Sequence, residues 1–466
     1  MSRLPFLVSV GADHVTGDDH KRQRRILNPS FSPSHLRDIL PTFFECVYRL
    51  RDAWDETLAK REHESLAFRD ARHRAAYDDD GKSTVIEVYH WASRVTLDII
   101  GSAGFGHEFG ATVGKQNKLE QATRVMFGGH HGKPTPVKLA LIRLTRQLFD
   151  WVPIIKFIPN KRVQEVRLGA AAFEQESRRI LAAKKRDEAD ADKSGAITDD
   201  TFKRRKDLMA LLLKSTRHDA RMQLSDSELR GQMTTFLLAG HETTSTLLTW
   251  TLHRLSTRPD VQSRLRDEIR GARDQIARDG RGEFEADELN ALPYLDAVTR
   301  EVSRLDPPVS MTVRESAVDD VIPLSAPIRA RDGSTHDAVP IKKGQIILIP
   351  IAAYNRDTAI FGDDANEFRP ERWLESTKVA DGQHTVGVWS PLLTFLAGPR
   401  SCIGYRFAIL ELKALLSALI EQYEFAPRDA AMVINARANI VIRPVIDGED
   451  DLGYRLPLRV TRVDAA

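Results

Sequence analysis

The chain is poor in cysteine and has no long apolar run, and each absence excludes a class of protein. Its 466 residues include 2 cysteines, Cys46 and Cys402, too few for a disulfide scaffold and consistent with a reducing compartment. The two lie far apart in the chain and no C-x-x-C spacing occurs, which argues against a zinc or iron–sulfur centre. No segment approaches the roughly 20 apolar residues that a membrane-spanning helix needs.

An excess of charge of either sign is also missing. The 68 basic and 66 acidic residues leave a formal net charge of +2, so charge gives no reason to expect nucleic acid as a partner. The chain has no internal repeat and no linker rich in glycine or proline. Most of it reads as long helices, whereas Asp319–Pro350 contains short β-branched runs broken by proline and Asp-Gly. We therefore expect a mainly α fold with a small β portion, forming one domain over residues 1–466.

The stretch FLAGPRSCIG, at Phe395–Gly404, places one cysteine in an unusual setting. Gly398 and Gly404 have no Cβ, so the backbone there can take positive φ or let a bulky group come close. Arg400 supplies a permanent charge two residues before the sulfur, and a helical period follows the loop. Cys402 is then at or just before a helix N-terminus, which stabilises a thiolate. The alternatives are a buried structural thiol and a protease nucleophile with a distant histidine.

A single thiolate beside an arginine suits an axial ligand to haem iron, with the guanidinium on a propionate. The loop resembles the haem-binding loop of the cytochrome P450 family of haem-thiolate monooxygenases. The segment Val95–Gly110 also resembles eukaryotic, particularly fungal, members. The resemblance implies haem b as the cofactor, with Cys402 as the iron ligand, and it assigns the rest of the binding loop to Phe395, Gly398, Arg400 and Gly404.

A long helical segment, Leu224–Leu255, begins with the capping box Ser225-x-x-Glu228. Its middle, AGHETTST at Ala239–Thr246, is rich in poor helix formers whose hydroxyls compete for backbone carbonyls. The helix could stop at Gly240 and restart, but the apolar pattern continues beyond it. We therefore expect one distorted helix.

The AGHET part of this segment resembles the central-helix motif of the same family. The resemblance implies that Thr243 donates a hydrogen bond to dioxygen and that Glu242 supplies protons. His241 falls at the variable position of the motif, where we expect a packing or solvent-facing side chain and not a ligand.

Two further segments resemble the structural core of the family. Glu301 and Arg304 lie three apart on a predicted helix, a spacing that usually marks an exposed surface pair. Downstream, Arg372 occurs in the setting FRPERW. The resemblance implies that these three side chains form a buried ionic triad whose role is structural.

Other basic residues match family positions that contact the haem propionates. Arg314 follows the helix of Glu301 on a predicted strand. His20 stands where the family has tryptophan, and Arg24 stands at the family's arginine. An imidazole and a guanidinium can both bond a carboxylate, so the resemblance implies that all three contact a propionate. It also implies an apolar substrate pocket that includes Phe236, Ala239, Val309 and Met311.

The resemblance covers the chain from about His20 to its end and implies a haem-thiolate monooxygenase. Such an enzyme inserts one oxygen atom from O2 into an apolar organic substrate. No glycine-rich nucleotide loop follows a predicted strand, so electrons should come from a separate NADPH-dependent flavoprotein reductase. Two alternatives remain: a haem-thiolate isomerase or dehydratase that needs no reductase, and an inactive haem-binding fragment.

The segment that precedes His20 is short relative to the family pattern. Eukaryotic members carry a membrane anchor there, followed by two helices and most of a small sheet, and they reside on the cytosolic face of the endoplasmic reticulum. We therefore expect that this chain has no anchor and is truncated at its N-terminus, and that strands near Ile341–Pro350 have an exposed edge.

Overall fold

The computed structural model describes residues 16–60, 83–115, 118–127, 161–193, 207–217, 224–375, 386–438 and 441–463. Helices dominate these ranges, as expected for a mainly α fold with small sheets. No helix within them combines the length and the apolarity needed to cross a bilayer. The helices are α1 (Gly17–Leu27), α2 (Pro33–Ala59), α3 (Val88–Ile99), α4 (Lys118–Phe127), α5 (Lys161–Lys193), α6 (Leu208–Arg217), α7 (Asp226–Ser256), α8 (Pro259–Arg278), α9 (Ala286–Ala291), α10 (Pro293–Leu305), α11 (Ile351–Tyr354), α12 (Thr358–Phe361) and α13 (Tyr405–Gln422).

The strands form small antiparallel sheets. In the described residues β1 and β6 flank β9, while β2 pairs with β5, β3 with β4 and β7 with β8. The β structure predicted within Asp319–Pro350 is confirmed, and β3 and β4 form a hairpin there with Gly333 at φ +88° in its turn. The strands are β1 (Ser83–Glu87), β2 (Thr312–Glu315), β3 (Asp320–Arg329), β4 (Thr335–Ile341), β5 (Ile346–Ile349), β6 (Tyr423–Pro427), β7 (Ile434–Ala438), β8 (Ile442–Ile446) and β9 (Pro457–Arg462).

The strand β5 has one partner in the described part of the chain. It pairs with β2 in the register Arg314↔Ile347, and its other edge carries no strand there. Val313, Ile346 and Leu348 of this pair are about half exposed. Within the described ranges the expected exposed edge is therefore present, together with an exposed apolar surface on the two strands.

Helix α7 runs without a break through Gly240, so a helix that stops there is excluded. Its capping box forms as predicted, because Ser225 accepts from the Glu228 amide and Glu228 accepts from the Ser225 amide. Several of the hydroxyls bond to carbonyls one turn back, as Thr251 does to Leu247 at 2.7 Å. A Cβ at position 240 would lie 3.0 Å from Ile100, so close packing requires glycine there.

The two helices α7 and α13 are buried along most of their length and pack against each other. One continuous hydrophobic cluster surrounds them and reaches from Ile26 to Val460. Phe43 of α2 meets Phe407 of α13 edge to face, with ring centroids 4.8 Å apart. This packing fixes the start of α13, and with it the loop that carries Cys402, relative to α7.

The ionic triad expected from the sequence is present. Glu301 and Arg304 are fully buried, and Arg372 is 2% exposed. Arg304 donates to both carboxylate oxygens of Glu301 at 2.8 and 2.9 Å, and Arg372 Nε donates to Oε1 at 2.9 Å. Trp373 Nε1 donates to Oε2 at 2.9 Å. Every charge in the group is therefore paired and hydrogen-bonded, which buried charges require.

Replacement of Arg372 by methionine should destabilise the protein by about 3–5 kcal/mol, because it leaves buried charge on Glu301 short of a partner. Urea-induced unfolding of the variant and the parent would measure this difference in the free energy of unfolding. Arg369→Met is the matched control. The Arg369 side chain is 37% exposed and forms surface ion pairs with Asp364 and Glu375, so its loss should cost about 0–1 kcal/mol. Equal losses in the two variants would contradict a special role for the buried triad.

Candidate active site

The loop before α13 presents Cys402 at its surface. Gly398 adopts φ +69°, the left-handed region that favours glycine, and opens a short 3-10 turn. The Cys402 amide donates to the Phe395 carbonyl at 2.8 Å, which closes the loop. The thiol is exposed and lies three residues before the first residue of α13, as the sequence predicts. Gly404 has negative φ, and a Cβ there would contact Phe31 at 3.5 Å.

A cavity of about 330 Å³ lies between this loop, α7, α1 and the segment before β2. Its walls are mostly apolar, with a few polar side chains that converge on it. Ten of the residues singled out from the sequence border it: His20, Arg24, Phe236, Ala239, Thr243, Val309, Phe395, Arg400, Cys402 and Gly404. The structure thus brings the cysteine loop and the central helix to one space.

Arg24 lies next to the cysteine loop. Its Nη1 donates to the Ser401 carbonyl at 2.6 Å, directly before Cys402. His20 is 7% exposed and lies one turn earlier on α1, and Arg400 borders the cavity from the loop itself. Three nitrogen-bearing side chains therefore surround the cavity near the thiol. Such a set suits carboxylates of a bound group.

Helix α1 is held to α7 through a buried hydrogen-bond network. Glu228 Oε1 accepts from Gln23 at 2.9 Å and from Arg22, and Gln232 donates to Gln23 at 2.9 Å. Burial opposes the charge on Glu228, but hydrogen bonds from the Ser225 amide and these side chains prevail and lower its pKa to about 2. The pairing positions His20 and Arg24 at the cavity wall.

Helix α7 presents different side chains to its two sides. Thr243 borders the cavity, and its hydroxyl donates to the Ala239 carbonyl at 2.8 Å. The next side chain back, Glu242, does not border the cavity and is 2% exposed. Its Oε1 accepts two hydrogen bonds from Arg443 of β8, from Nε at 2.7 Å and from Nη2. The acid and the hydroxyl of the motif therefore face different surroundings.

Three other predicted residues do not border the cavity. Met311 is 52% exposed, because its side chain faces solvent just before strand β2, although Val309 and Thr312 on either side of it border the cavity. Arg314 donates to Thr312 Oγ1 at 3.1 Å, and only Thr312 reaches the cavity. Gly398 shapes the cysteine loop but lies outside the cavity lining.

Sequence reasoning missed Arg443 and Glu411. Arg443 is separated from Glu242 by 201 residues, and no local pattern links the two. Glu411 lies on α13 and is fully buried. It lies beside Thr244, which borders the cavity, but neither of its oxygens has a hydrogen bond of good geometry among the described residues. The sequence signal that could have identified Glu411 was an acidic residue at an apolar position of the helical pattern of α13.

The residues present fit a haem. A haem needs an axial ligand for its iron, a flat apolar space and donors for two carboxylates. The exposed Cys402 thiol, the apolar walls and the basic set of His20, Arg24 and Arg400 supply these three requirements around one cavity. The mainly helical fold and this donor set are those expected of a haem-thiolate protein.

Comparison with known proteins agrees with the assignment to a haem-thiolate protein. The family model for cytochrome P450 matches residues 10–445. Cytochrome P450 monooxygenase 128 of Postia placenta is 38% identical over 449 residues, which cover 95% of this chain and 76% of that protein. Cytochrome P450 monooxygenase claQ of Ampulloclitocybe clavipes is 35% identical over 480 residues, which cover 100% of this chain and 80% of that protein. The chain belongs to the cytochrome P450 family and is a monooxygenase of the fungal type, and members of this family carry haem-thiolate iron.

Glu411 predicts a pH dependence of stability. Burial raises its pKa well above the ordinary value, and the neighbouring Thr244 offsets only part of this. The folded protein therefore holds a proton on Glu411 that the unfolded chain releases. This contribution to stability is complete below the ordinary carboxyl pKa of 4.5 and is lost as the pH rises towards the raised folded-state pKa.

Glu411→Gln should remove this part of the pH dependence, because the amide stays neutral at every pH. Urea unfolding between about pH 5 and pH 8 would compare the slopes of the variant and the parent. Glu424→Gln, at an exposed position of β6 just after the same helix, is the control and should keep the parent slope. A slope unchanged in Glu411→Gln would show that Glu411 is ionised in the folded state.

Proposed function

We propose that this protein inserts one oxygen atom from O2 into a small apolar organic substrate, using electrons from a separate NADPH-dependent flavoprotein reductase. The observation that carries the proposal is that the Cys402 thiol and the Thr243 hydroxyl, from distant parts of the chain, border the same largely apolar cavity. A bound haem supplies the activation of dioxygen. In this proposal residues 1–466 form one haem domain.

In this proposal the cysteine loop and α1 hold the haem. Cys402 would ligate the haem iron, and the closed loop before α13 would hold the sulfur in place. Arg24, Arg400 and His20 bind the haem carboxylates. Arg314 supports the same edge through Thr312, to which it donates.

The remaining cavity walls favour an apolar substrate. Phe236, Ala239 and Val309 border the cavity, and Phe31 meets Phe236 edge to face with centroids 5.5 Å apart. These groups offer no charge to a ligand. A small organic molecule with few polar groups matches them best.

In this proposal Thr243 and Glu242 deliver protons to the cavity. The Thr243 hydroxyl faces the cavity and can hold a water or a substrate oxygen in position. Glu242, the residue before Thr243, lies on the other side of α7. There Arg443 donates to one of its two carboxylate oxygens. We assign proton supply to Glu242 and the placement of the proton at the cavity to Thr243.

Two further parts of the proposal concern the redox partner and the cellular location. No nucleotide-binding loop follows a predicted strand, which supports a separate reductase as the source of electrons. The resemblance to eukaryotic members supports a location of the complete protein at the cytosolic face of the endoplasmic reticulum.

Cys402→Ala tests the iron ligand. Thiolate ligation gives the ferrous carbon-monoxide complex its long-wavelength absorption band, so the variant should lose that band. Cys46→Ala is the control and should keep it. Cys46 is fully buried in the core, and burial, aided by Asp98, raises its pKa to about 12. If the band persists in Cys402→Ala, the axial assignment fails.

Thr243→Ala tests the proton role. The variant should bind haem normally but divert reduced oxygen to peroxide, because a proton is no longer placed correctly. The measurement is the amount of product formed per NADPH consumed, with a substrate chosen from a panel of apolar compounds by a mass gain of one oxygen atom. Thr251→Ala is matched, because Thr251 bonds to the carbonyl one turn back on the same helix and does not border the cavity. An equal ratio in both variants would remove Thr243 from the mechanism.

A further inference from the structure

His241 lies beside Glu242 on α7, and its side chain faces away from the cavity into the protein interior. It is fully buried, and its ring stacks on Phe173 of α5 with centroids 6.2 Å apart and planes 23° apart. Its backbone carbonyl accepts from Thr96 Oγ1 at 2.9 Å. None of the roles proposed above involves His241, although residues of three other helices contact it.

The tautomer of the His241 ring follows from its contacts. Nδ1 lies 2.6 Å from the Leu237 carbonyl, one turn back on the same helix. A carbonyl can only accept, so Nδ1 carries a hydrogen. Burial lowers the pKa of the ring and favours its neutral form, which leaves a lone pair on Nε2. Thr123 Oγ1 of α4, 3.3 Å away, can donate to that lone pair.

The same Nε2 faces an oxygen that lacks a donor. Glu242 Oε2 lies 3.6 Å from Nε2 and is buried without a hydrogen bond among the described residues. Both hydrogen bonds from Arg443 go to Oε1. A neutral imidazole and a carboxylate therefore present two acceptors to each other. A proton held between them would give Oε2 the donor that it lacks, and a hydrogen-bond partner is the usual requirement for buried polar groups.

We propose that His241 Nε2 and Glu242 Oε2 together bind one exchangeable proton. When the proton is on Nε2, an imidazolium donates to the carboxylate. When it moves to Oε2, a neutral imidazole and a carboxylic acid result, so the total charge of the pair is unchanged. Arg443 opposes the added positive charge, and Tyr89 and Tyr454 face that guanidinium. The Glu242 carboxylate favours the added charge and so counters the burial of the ring.

The inference rests on the proposed proton supply by Glu242 and deepens it. His241 touches neither the cavity nor a bound group, so it acts as a positioning residue through Glu242. After Glu242 has given up a proton, His241 supplies it with another. His241 does so from the side of α7 opposite to Thr243. The proton store would then lie two residues from the hydroxyl at the cavity.

Histidine titration tests the shared proton directly. In ¹⁵N-histidine-labelled protein, in the diamagnetic ferrous carbon-monoxide state, loss of a resonance in His241→Gln identifies the ring. We expect Glu242→Gln to lower its titration midpoint by at least about one pH unit, because a carboxylate within a few ångströms favours imidazolium. An unchanged midpoint overturns the proposal.

His253→Gln is the matched control. His253 is a second largely buried histidine of α7, and burial lowers its pKa to about 4, but it does not contact Glu242. Its resonance should not respond to Glu242→Gln. If His241→Gln does not fold, His241→Asn identifies the ring, and the effect of Glu242→Gln still decides the question.

A second measurement tests the role in turnover. The pH profile of product formed per NADPH should shift in His241→Gln and stay as in the parent in His253→Gln. Matching profiles in the two variants would overturn the role of His241 as a positioning residue. The titration result does not depend on product formation, so failure of the shared proton and failure of the monooxygenase assignment are distinguishable.

Discussion

The position of the Cys402 loop depends on the buried charge of Glu301. That carboxylate accepts from Arg304, Arg372 and the Trp373 indole, and also from the Arg369 amide at 2.9 Å. Arg304, held in this way, donates to the Asn355 carbonyl at 3.0 Å. The Asn355 side chain accepts from the Leu393 amide and donates to Thr394 at the cavity wall. A chain of hydrogen bonds therefore runs from the triad to the residue before Phe395, where the cysteine loop begins.

Helix geometry explains why the hydroxyl and the acid of α7 face different surroundings. Successive residues of a helix point about 100° apart, and the cavity-facing side of α7 includes Thr243 and Thr244 but not Glu242. With Thr243 at the cavity, Glu242 must turn towards β8, where Arg443 meets it. The unbroken helix keeps this division in place. Transfer of a proton from Glu242 to the cavity therefore requires a movement of its side chain or an intervening water.

Local motifs made much of the site predictable. The loop around Cys402, the capping box at Ser225 and the spacing of Glu301 and Arg304 each lie within a few residues, so chemistry and spacing can be read together. The hairpin at Gly333 was predictable for the same reason. The contacts of Glu242 with Arg443 and of Glu411 with α7 were not, because they join segments that only the packing of helices and strands brings together. Met311 differed from expectation because its exposure, just before β2, depends on which segments pack over it, and the local sequence alone does not report that.

Two buried acids of similar exposure, Glu242 and Glu411, lie near α7 in opposite electrostatic settings. Glu242 has a guanidinium as partner, so burial there is compensated by an ion pair with Arg443. Among the residues that the structure describes, no cation partners Glu411 and the Thr244 hydroxyl lies beside it, so burial raises its pKa and favours the neutral acid. The neutral acid lies behind a residue that borders the cavity, and the ion pair lies on the far side of the helix. The ionised one of these two acids is thus kept away from the cavity, while a neutral acid can be tolerated near it, because a neutral carboxyl costs far less to bury than a carboxylate.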